Sequence, residues 1–138
     1  MRPTTRSIAV SMALVLAAAV AQAAGSVQVS FVQPESFTDI QDAQFSSAGN
    51  LRELRHHLEV LGARHVGDGQ SLAIEVLDVD LAGEIRFSRG WHENVRVLNG
   101  KADWPRIKLR VTVASAGQAV HRVEQTVSDM AYLQRMSR

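Results

Sequence analysis

Asp78 and Asp80 are the residues whose type and spacing come closest to a catalytic or metal-binding site in this chain. Residues two apart on a β-strand face the same side, so both carboxylates can bind one divalent cation or work as an acid–base pair. The following Leu81-Ala82-Gly83 offers no further side-chain oxygen at the spacing of a calcium-binding loop. We therefore expect the two carboxylates to end a strand and to accept hydrogen bonds from loop N–H groups.

The histidines do not have the spacing of a zinc site. His56, His57 and His65 include no pair four residues apart on one helix face, which is the arrangement that helical zinc sites use. His121 is predicted to face inward, across from Val111, as a hydrogen-bonded core residue. The sequence therefore predicts no bound metal and no cofactor.

A row of basic side chains is the best candidate for a partner-binding or anion-binding surface. Arg106, Lys108 and Arg110 alternate along one strand and project from the face opposite the core. The hairpin register predicted below places Arg122 across from Arg110, where two like charges repel unless an anion or an acidic partner lies between them. Trp104 adjoins the row, and tryptophan with arginine recurs at interface centres, although Trp104 is equally compatible with a core position.

Two alternatives to this binding surface remain open. The row is also typical of a solvated strand face, on which a Lys108–Glu124 ion pair is the one ordered contact. The chain has no cysteine and shows no serine–histidine–aspartate arrangement and no phosphate-binding glycine loop. These patterns favour a binding role over an enzymatic one, with a carboxylate- or metal-dependent hydrolase as the alternative.

The first 23 residues have the features of a cleavable secretion signal. Arg2 and Arg6 precede the uncharged apolar run Ile8–Val20, and Ala21-Gln22-Ala23 matches a small-x-small cleavage site. The apolar run is shorter than the roughly 20 residues that span a bilayer, so we expect no membrane span after cleavage. We predict an exported periplasmic protein whose residues 24–138 form one domain.

The charge of the exported part argues against a nucleic-acid partner. Without Arg2 and Arg6, the 15 basic residues fall to 13 against 14 acidic ones, a formal net charge of −1. A near-neutral protein has no long-range field that attracts DNA or RNA. The partner that we expect is another component of the cell envelope; the oligomeric state is left open.

Hydrophobic periodicity predicts the elements in the first half of this domain. Alternation over residues 27–32 predicts a strand, and a loop anchored by Phe37, Ile40 and Phe45 follows it. Spacings of three and four predict a helix with one apolar stripe: Leu51, Leu54, Leu58 and Leu61. Asn50 and Glu53 suit a capping box at its start.

The second half is predicted to be mostly strand. Apolar residues change face within one strand near Val76-Leu77, which predicts a bulge, a bend or cover on both faces. Residues 84–94 are interpreted as a long connection whose aromatic residues, Phe87 and Trp91, lean on the sheet. Residues 107–113 and 123–127 form a hairpin around Ser115-Ala116-Gly117, with Leu109 opposite Val123.

These elements predict an α+β fold in the order β-α-β-β-β. One main helix packs on a mixed, mostly antiparallel sheet of about four strands, as a two-layer sandwich. The crossover through the helix allows the first two strands to be parallel. One helix of roughly four turns cannot cover such a sheet, so part of the sheet is left polar, covered by loops or available to a partner.

Six segments together resemble a bacterial envelope family catalogued as domain of unknown function 3016, found mainly in proteobacteria. They are Phe31–Pro34 with Phe37–Ile40, Leu77–Gly83, Asn94–Val97, Trp104–Ile107 and Ser128–Leu133. The resemblance covers essentially the exported chain and implies a periplasmic location in a Gram-negative cell. It implies no activity, because none is assigned to the family.

The resemblance directs attention to the positions that match the recurrent motifs: Asp78, Asp80, Arg96, Trp104, Arg106 and Asp129. In the predicted register, Asp129 lies opposite Asp103, and Asp78 or Asp80 meets Arg96 or Arg106 at the same end of the hairpin. Such arginine–carboxylate pairs fix geometry, so we expect them to lock the end of the sheet. A non-enzymatic binding domain is the leading hypothesis for function, the hydrolase is second, and a purely structural envelope protein is third.

Overall fold

A computed structural model describes residues 24–90, 92–99 and 103–136; for residues 135 and 136 it describes the backbone alone. The predicted leader and Trp91 lie outside the described residues. The elements are β1 Ser26–Phe31, a 3-10 turn Pro34–Ser36, α1 Ala48–Ala63, β2 Gln70–Asp80, β3 Glu84–Ser88, β4 Glu93–Val97, β5 Arg106–Ser115, β6 His121–Ser128 and α2 Tyr132–Met136.

The main sheet has four strands in the order β1-β2-β5-β6. β1 and β2 are parallel, whereas β2–β5 and β5–β6 are antiparallel. The mixed, mostly antiparallel sheet and the parallel pairing of the first two strands are therefore confirmed. The parallel pair arises because the chain returns through α1 before it enters β2.

The change of buried face in β2 is a β-bulge. The β2–β5 register shifts between Val76 and Asp78, which leaves Leu77 as the extra residue. Val76 and Val79, three residues apart, are consequently both buried on the core side, at 0% and 4% exposure. Of the three alternatives predicted near Val76-Leu77, the structure shows the bulge, which turns Asp78 and Asp80 toward the opposite face.

The segment interpreted as a long connection is a second, two-stranded sheet. β3 and β4 pair antiparallel, from Glu84 opposite Val97 to Ser88 opposite Glu93. The prediction was wrong because this short hairpin has only a weak apolar alternation. Phe87 is 63% exposed and does not lean on the sheet.

The β5–β6 hairpin has the predicted faces but a different register. Val111 lies opposite Val123 and Leu109 opposite Gln125, two residues away from the prediction. Gly117 has the expected left-handed backbone, with φ at 74°, but the turn extends beyond it. A slip of two residues keeps every side chain on its face, so the apolar pattern does not distinguish the two registers.

The register changes the partners predicted for several polar residues. Arg122 lies opposite Thr112 instead of Arg110, and Glu124 lies opposite Arg110 instead of Lys108. His121 lies opposite Val113 and is exposed, so it is not a core histidine. The predicted clash of two arginines is therefore absent from this hairpin.

Helix α1 packs by its leucine stripe, mainly against β1. Leu51, Leu54 and Leu58 contact the buried cluster, but Leu61 is 36% exposed. The predicted capping box is wrong, because the helix begins after Ser47 and the Asn50 side chain donates instead to the carbonyl oxygen of Ile40, at 2.9 Å. This hydrogen bond ties the loop before the helix to its first turn.

The buried cluster lies between α1, β1 and β2. It consists of Val29, Phe37, Ile40, Ile74, Val76 and Val79. Phe37 and Ile40 anchor the loop as predicted, whereas Phe45 is 59% exposed. In the part of the chain that the structure describes, the architecture is α+β, with six strands in two sheets rather than about four, and one main helix that covers only part of the larger sheet.

Candidate functional site

Arg96 is the centre of the densest polar cluster among the described residues. Its guanidinium forms two parallel bonds with the carboxylate of Asp39, at 2.8 and 3.0 Å. It also donates to the carbonyl oxygens of Gln41, Ala82 and Gly83, at 2.7 to 3.2 Å. Because Arg96 is on β4, these bonds fasten the small sheet to the loop after β1 and to the turn after β2.

Asp39 was not among the residues singled out from the sequence, although it belongs to a motif segment. Its backbone N–H donates to Val79 O at 2.8 Å, and its carbonyl oxygen accepts from Leu81 N at 3.1 Å. This short parallel bridge places the Asp39 carboxylate beside β4. The sequence predicted that Asp78 or Asp80 meets Arg96 or Arg106. Asp80 does pair with Arg106, whereas Arg96 binds Asp39 because the bulge in β2 turns Asp78 and Asp80 away from it.

Asp78 and Asp80 lie on the sheet face away from α1, each with its own partner. The carboxylate of Asp78 accepts from the backbone N–H of Thr38 at 2.7 Å and from its hydroxyl at 2.8 Å. Asp80 forms an ion pair with Arg106, directly across the β2–β5 ladder. This pairing raises the pKa of Arg106, chiefly through the hydrogen bond to Asp80.

The basic row is interleaved with acidic residues. Arg110 lies between Glu124, at 2.6 Å, and Glu75, at 3.4 Å. Arg122 contacts the other oxygen of Glu75, at 3.3 Å. The hydrogen bond from Arg110 lowers the pKa of Glu124 and raises that of Arg110 itself. Lys108 lies opposite Asp78 and Thr126, on the same face.

The other motif residues lie near the start of β5. The N–H of Asp129 donates to Pro105 O at 3.2 Å, so Asp129 lies beside Pro105 and not opposite Asp103 as predicted. The carboxylate of Asp103 accepts instead from the N–H of Gly83, at 2.8 Å. Trp104 is partly buried beside this segment.

The helix-side face of the sheet is covered unevenly. α1 lies over β1 and β2, whereas Val123 and Val127 on β6 are 58% and 49% exposed. Val127 is opposite Ile107, which borders an open pocket of about 450 Å³ between α1 and the start of β5. The walls of this pocket are mostly apolar: Ile40, Leu54, Val79, Leu81, Pro105 and Ile107. His57 also borders it.

Over residues 25–138, the sequence matches the family described as protein of unknown function (DUF3016). The chain belongs to this family. Neither the comparison with curated proteins nor the comparison with solved structures found a match.

The DUF3016 motif segments meet in the structure at one end of the main sheet. The Phe37–Ile40 segment pairs with the end of β2, Arg96 binds both, and Asp80 pairs with Arg106. Neither α1 nor α2 has the length and hydrophobicity of a membrane-spanning helix. The described residues contain no group of three or more histidine and acidic side chains placed to hold a metal ion.

Proposed function

We propose that this DUF3016 protein is an exported, non-enzymatic binding domain of the bacterial envelope, which holds an apolar segment of another envelope protein. The observation that carries the proposal is the uncovered half of the helix-side sheet face. Val123 and Val127 are about half exposed, and their row continues through Ile107 into the open pocket. Exposed apolar surface beside a preformed concave pocket is typical of binding sites.

The charged face of the sheet is a weaker candidate for this partner. Arg106, Arg110 and Arg122 each have a carboxylate neighbour within the chain. An incoming anion would have to displace those carboxylates, which offsets the gain from the new contact. On this face, ion pairs that order the strands are the simpler interpretation of Arg106, Arg110 and Arg122.

The hydrolase alternative requires Asp78, Asp80 and Asp129 to share a cleft. Asp78 is held by Thr38 and Asp80 by Arg106, so neither carboxylate is directed into the pocket beside α1. These contacts support a structural role for the two aspartates. Export is proposed from the apolar leader of residues 1–23 and its small-residue cleavage site.

Site-specific photocrosslinking in cells tests the binding proposal. The photoreactive residue p-benzoylphenylalanine replaces His57, which borders the pocket, in the full-length chain. The matched control replaces the neighbouring His56, which is exposed and does not border the pocket. We expect one discrete adduct with another envelope protein at position 57 and none at position 56.

The adduct must also depend on the apolar surface. Val127→Ser, at an exposed position next to the pocket, should reduce the yield at position 57 several-fold while the protein stays folded. The double variant Arg110→Ala, Arg122→Ala, at two positions that do not border the pocket, measures the contribution of the charged face. Equal adducts at positions 56 and 57, or none at either, would overturn the proposal.

A further inference from the structure

Strand β6 is an edge without the usual protection. Within the described residues, it pairs with β5 alone, and its eight residues are all exposed. The β5–β6 ladder has no register shift, and the strand contains no proline and no lysine. Natural sheets usually protect an edge of this length by one of those devices, because a free edge pairs readily with another strand.

The hydrogen bond from Asp129 N to Pro105 O establishes which backbone groups of β6 face outward. Because the pattern alternates along an antiparallel ladder, the odd-numbered residues of β6 bond to β5. The N–H and C=O groups of the even-numbered residues therefore point away from the sheet. These residues are Arg122, Glu124, Thr126 and Ser128.

The charges along this edge are balanced within the chain. Arg122 lies against Glu75, and Glu124 lies against Arg110. A second copy of the same strand therefore brings no net charge toward the first. The edge is consequently compatible with a copy of itself, which a uniformly charged edge would repel.

Symmetry and side-chain pairing select one register. A two-fold axis at Glu124 sets the Glu124 carboxylates of the two copies against each other. With an axis at Val123, the paired part of each strand is only the five residues from His121 to Gln125. An axis at Gln125 pairs all of Arg122–Ser128 and sets Val123 of each copy against Val127 of the other. Those valines then form non-hydrogen-bonded pairs, in which side chains are closest.

We propose that this protein pairs β6 with β6 of a second copy, antiparallel about a two-fold axis at Gln125. The pairing forms one continuous sheet across both copies. Because the axis is perpendicular to the sheet, both α1 helices lie on the same side. The exposed apolar surfaces of the two copies, around Val123 and Val127, then form one continuous surface between the two helices. The pairing goes beyond the proposed function and does not depend on it.

The absence of cysteine from the chain permits a direct test of the register. Single variants Val123→Cys, Glu124→Cys and Gln125→Cys are oxidised and run on non-reducing gels. In the proposed register, Gln125 of one copy lies opposite Gln125 of the other as a non-hydrogen-bonded pair, and the short distance within such a pair suits a disulfide. Gln125→Cys should therefore form the disulfide-linked dimer fastest. Faster linking through position 123 or 124, or none at any position, would overturn the proposal.

Sedimentation of the purified protein tests the interface without a crosslink. The wild type should sediment as a dimer, and Gln125→Lys should weaken association about fivefold because two ammonium groups then meet at the axis. Gln28→Lys is the matched control on β1, the other edge of the sheet, and should leave association unchanged. A monomeric wild type at every concentration would overturn the proposal.

Thr126→Pro gives an independent measure of the backbone contribution. The N–H that proline removes points away from β5, so the ladder within the chain is kept while hydrogen bonds to the second copy are lost. We expect a folded monomer by circular dichroism and sedimentation. A folded Thr126→Pro protein that dimerises as tightly as the wild type would contradict edge pairing.

Discussion

At the scale of single residues, the most consequential contact joins two residues that are far apart in the sequence. Asp39 and Arg96 form a bidentate pair with side-chain exposures of 28% and 18%. The same guanidinium satisfies three backbone carbonyl oxygens that secondary structure leaves free. Arg96 on β4 therefore holds two other segments in place, the loop after β1 and the turn after β2.

Removal of this guanidinium should be costly. Arg96→Ala leaves the Asp39 carboxylate and the carbonyl groups without their donor, so we expect the free energy of unfolding to fall by about 3 kcal/mol. Arg96→Lys should recover little, because an ammonium cannot reproduce the planar fork. Urea denaturation monitored by circular dichroism measures both changes.

Arg86→Ala is the matched control for Arg96→Ala in the same hairpin. Arg86 pairs with Glu84, but both side chains are more than half exposed, at 56% and 53%. Its removal should change the free energy of unfolding by less than about 0.5 kcal/mol. Equal losses for the two variants would show that the contacts of Arg96 are not what stabilises this end of the sheet.

The Arg110–Glu124 pair should give stability a dependence on acid pH. The hydrogen bond from Arg110 lowers the pKa of Glu124 below its ordinary 4.5. A lowered carboxyl pKa contributes stability that is present above about pH 4.5 and is lost as the pH falls through the folded value. The difference in free energy of unfolding between wild type and Glu124→Gln should therefore shrink below pH 4.5 and reach a plateau above it.

This pH series has a clear contrary outcome. Chemical denaturation at several pH values between neutral and strongly acidic measures the difference. A wild-type advantage that grows with acidification would mean that the pair does not favour the ionised carboxylate. Arg122→Ala should change the titration of Glu124 less than Arg110→Ala does, because the charge of Arg122 lowers the pKa of Glu124 less than the hydrogen bond from Arg110.

At the scale of elements, the join between α1 and the main sheet depends on one glycine. A Cβ on Gly62 would lie 2.7 Å from Val27 Cγ1 and 3.1 Å from Leu72 Cδ2. The last turn of α1 therefore packs directly on β1 and β2. A glycine in a helix costs up to about 1 kcal/mol relative to alanine, and the close contact explains its presence.

Two glycine-to-alanine substitutions in α1 should have opposite effects. Gly62→Ala should lower the free energy of unfolding by about 1–3 kcal/mol, because overpacking outweighs the gain in helix propensity. Gly49→Ala, in the same helix but with open space around it, should raise it by about 0.5–1 kcal/mol. Thermal and urea denaturation of the two single variants measure the contrast.

A stabilising Gly62→Ala would contradict the close packing of α1 against β1. An unchanged stability in Gly49→Ala would instead show that helix propensity is not limiting at the start of α1. The two outcomes are separable because Gly49 and Gly62 lie at opposite ends of the helix.

At the scale of the molecule, the proposed export can be tested by the mass of the protein recovered from the cell. If the leader is removed after Ala23, the protein recovered from the cell envelope begins at Ala24. Intact-mass spectrometry should therefore give the mass of residues 24–138, and deletion of residues 2–23 should leave the protein in the cytoplasm. A full-length mass in the envelope fraction would mean that the leader is retained.

The uneven cover of the main sheet is the other property of the whole molecule. α1 packs on β1 and β2, whereas Val123 and Val127 on β6 are about half exposed. The proposed partner site and the proposed pairing of β6 both follow from this arrangement. They are separable, because the photocrosslink at His57 reports the pocket and the disulfide at Gln125 reports the edge.

The sequence by itself determined which face of each main strand and of the helix is apolar. Apolar residues at every second position located β1, β2, β5 and β6, and spacings of three and four located α1. The phase change at Val76-Leu77 predicted an irregularity there, which the structure shows to be a bulge. These features are local, because a few neighbouring side chains decide which face is apolar. The motif segments likewise identified the family, because a motif depends only on the order of residues along the chain.

Only the tertiary structure decided registers and partners. A slip of two residues preserves the apolar face, so the sequence pattern could not place Glu124 beside Arg110. The Asp39–Arg96 pair depends on the route of a loop and on a bulge in another strand. The position of α1 over half of the sheet depends on how closely Gly62 lets it approach β1. These outcomes arise from packing between distant segments, which no local period encodes.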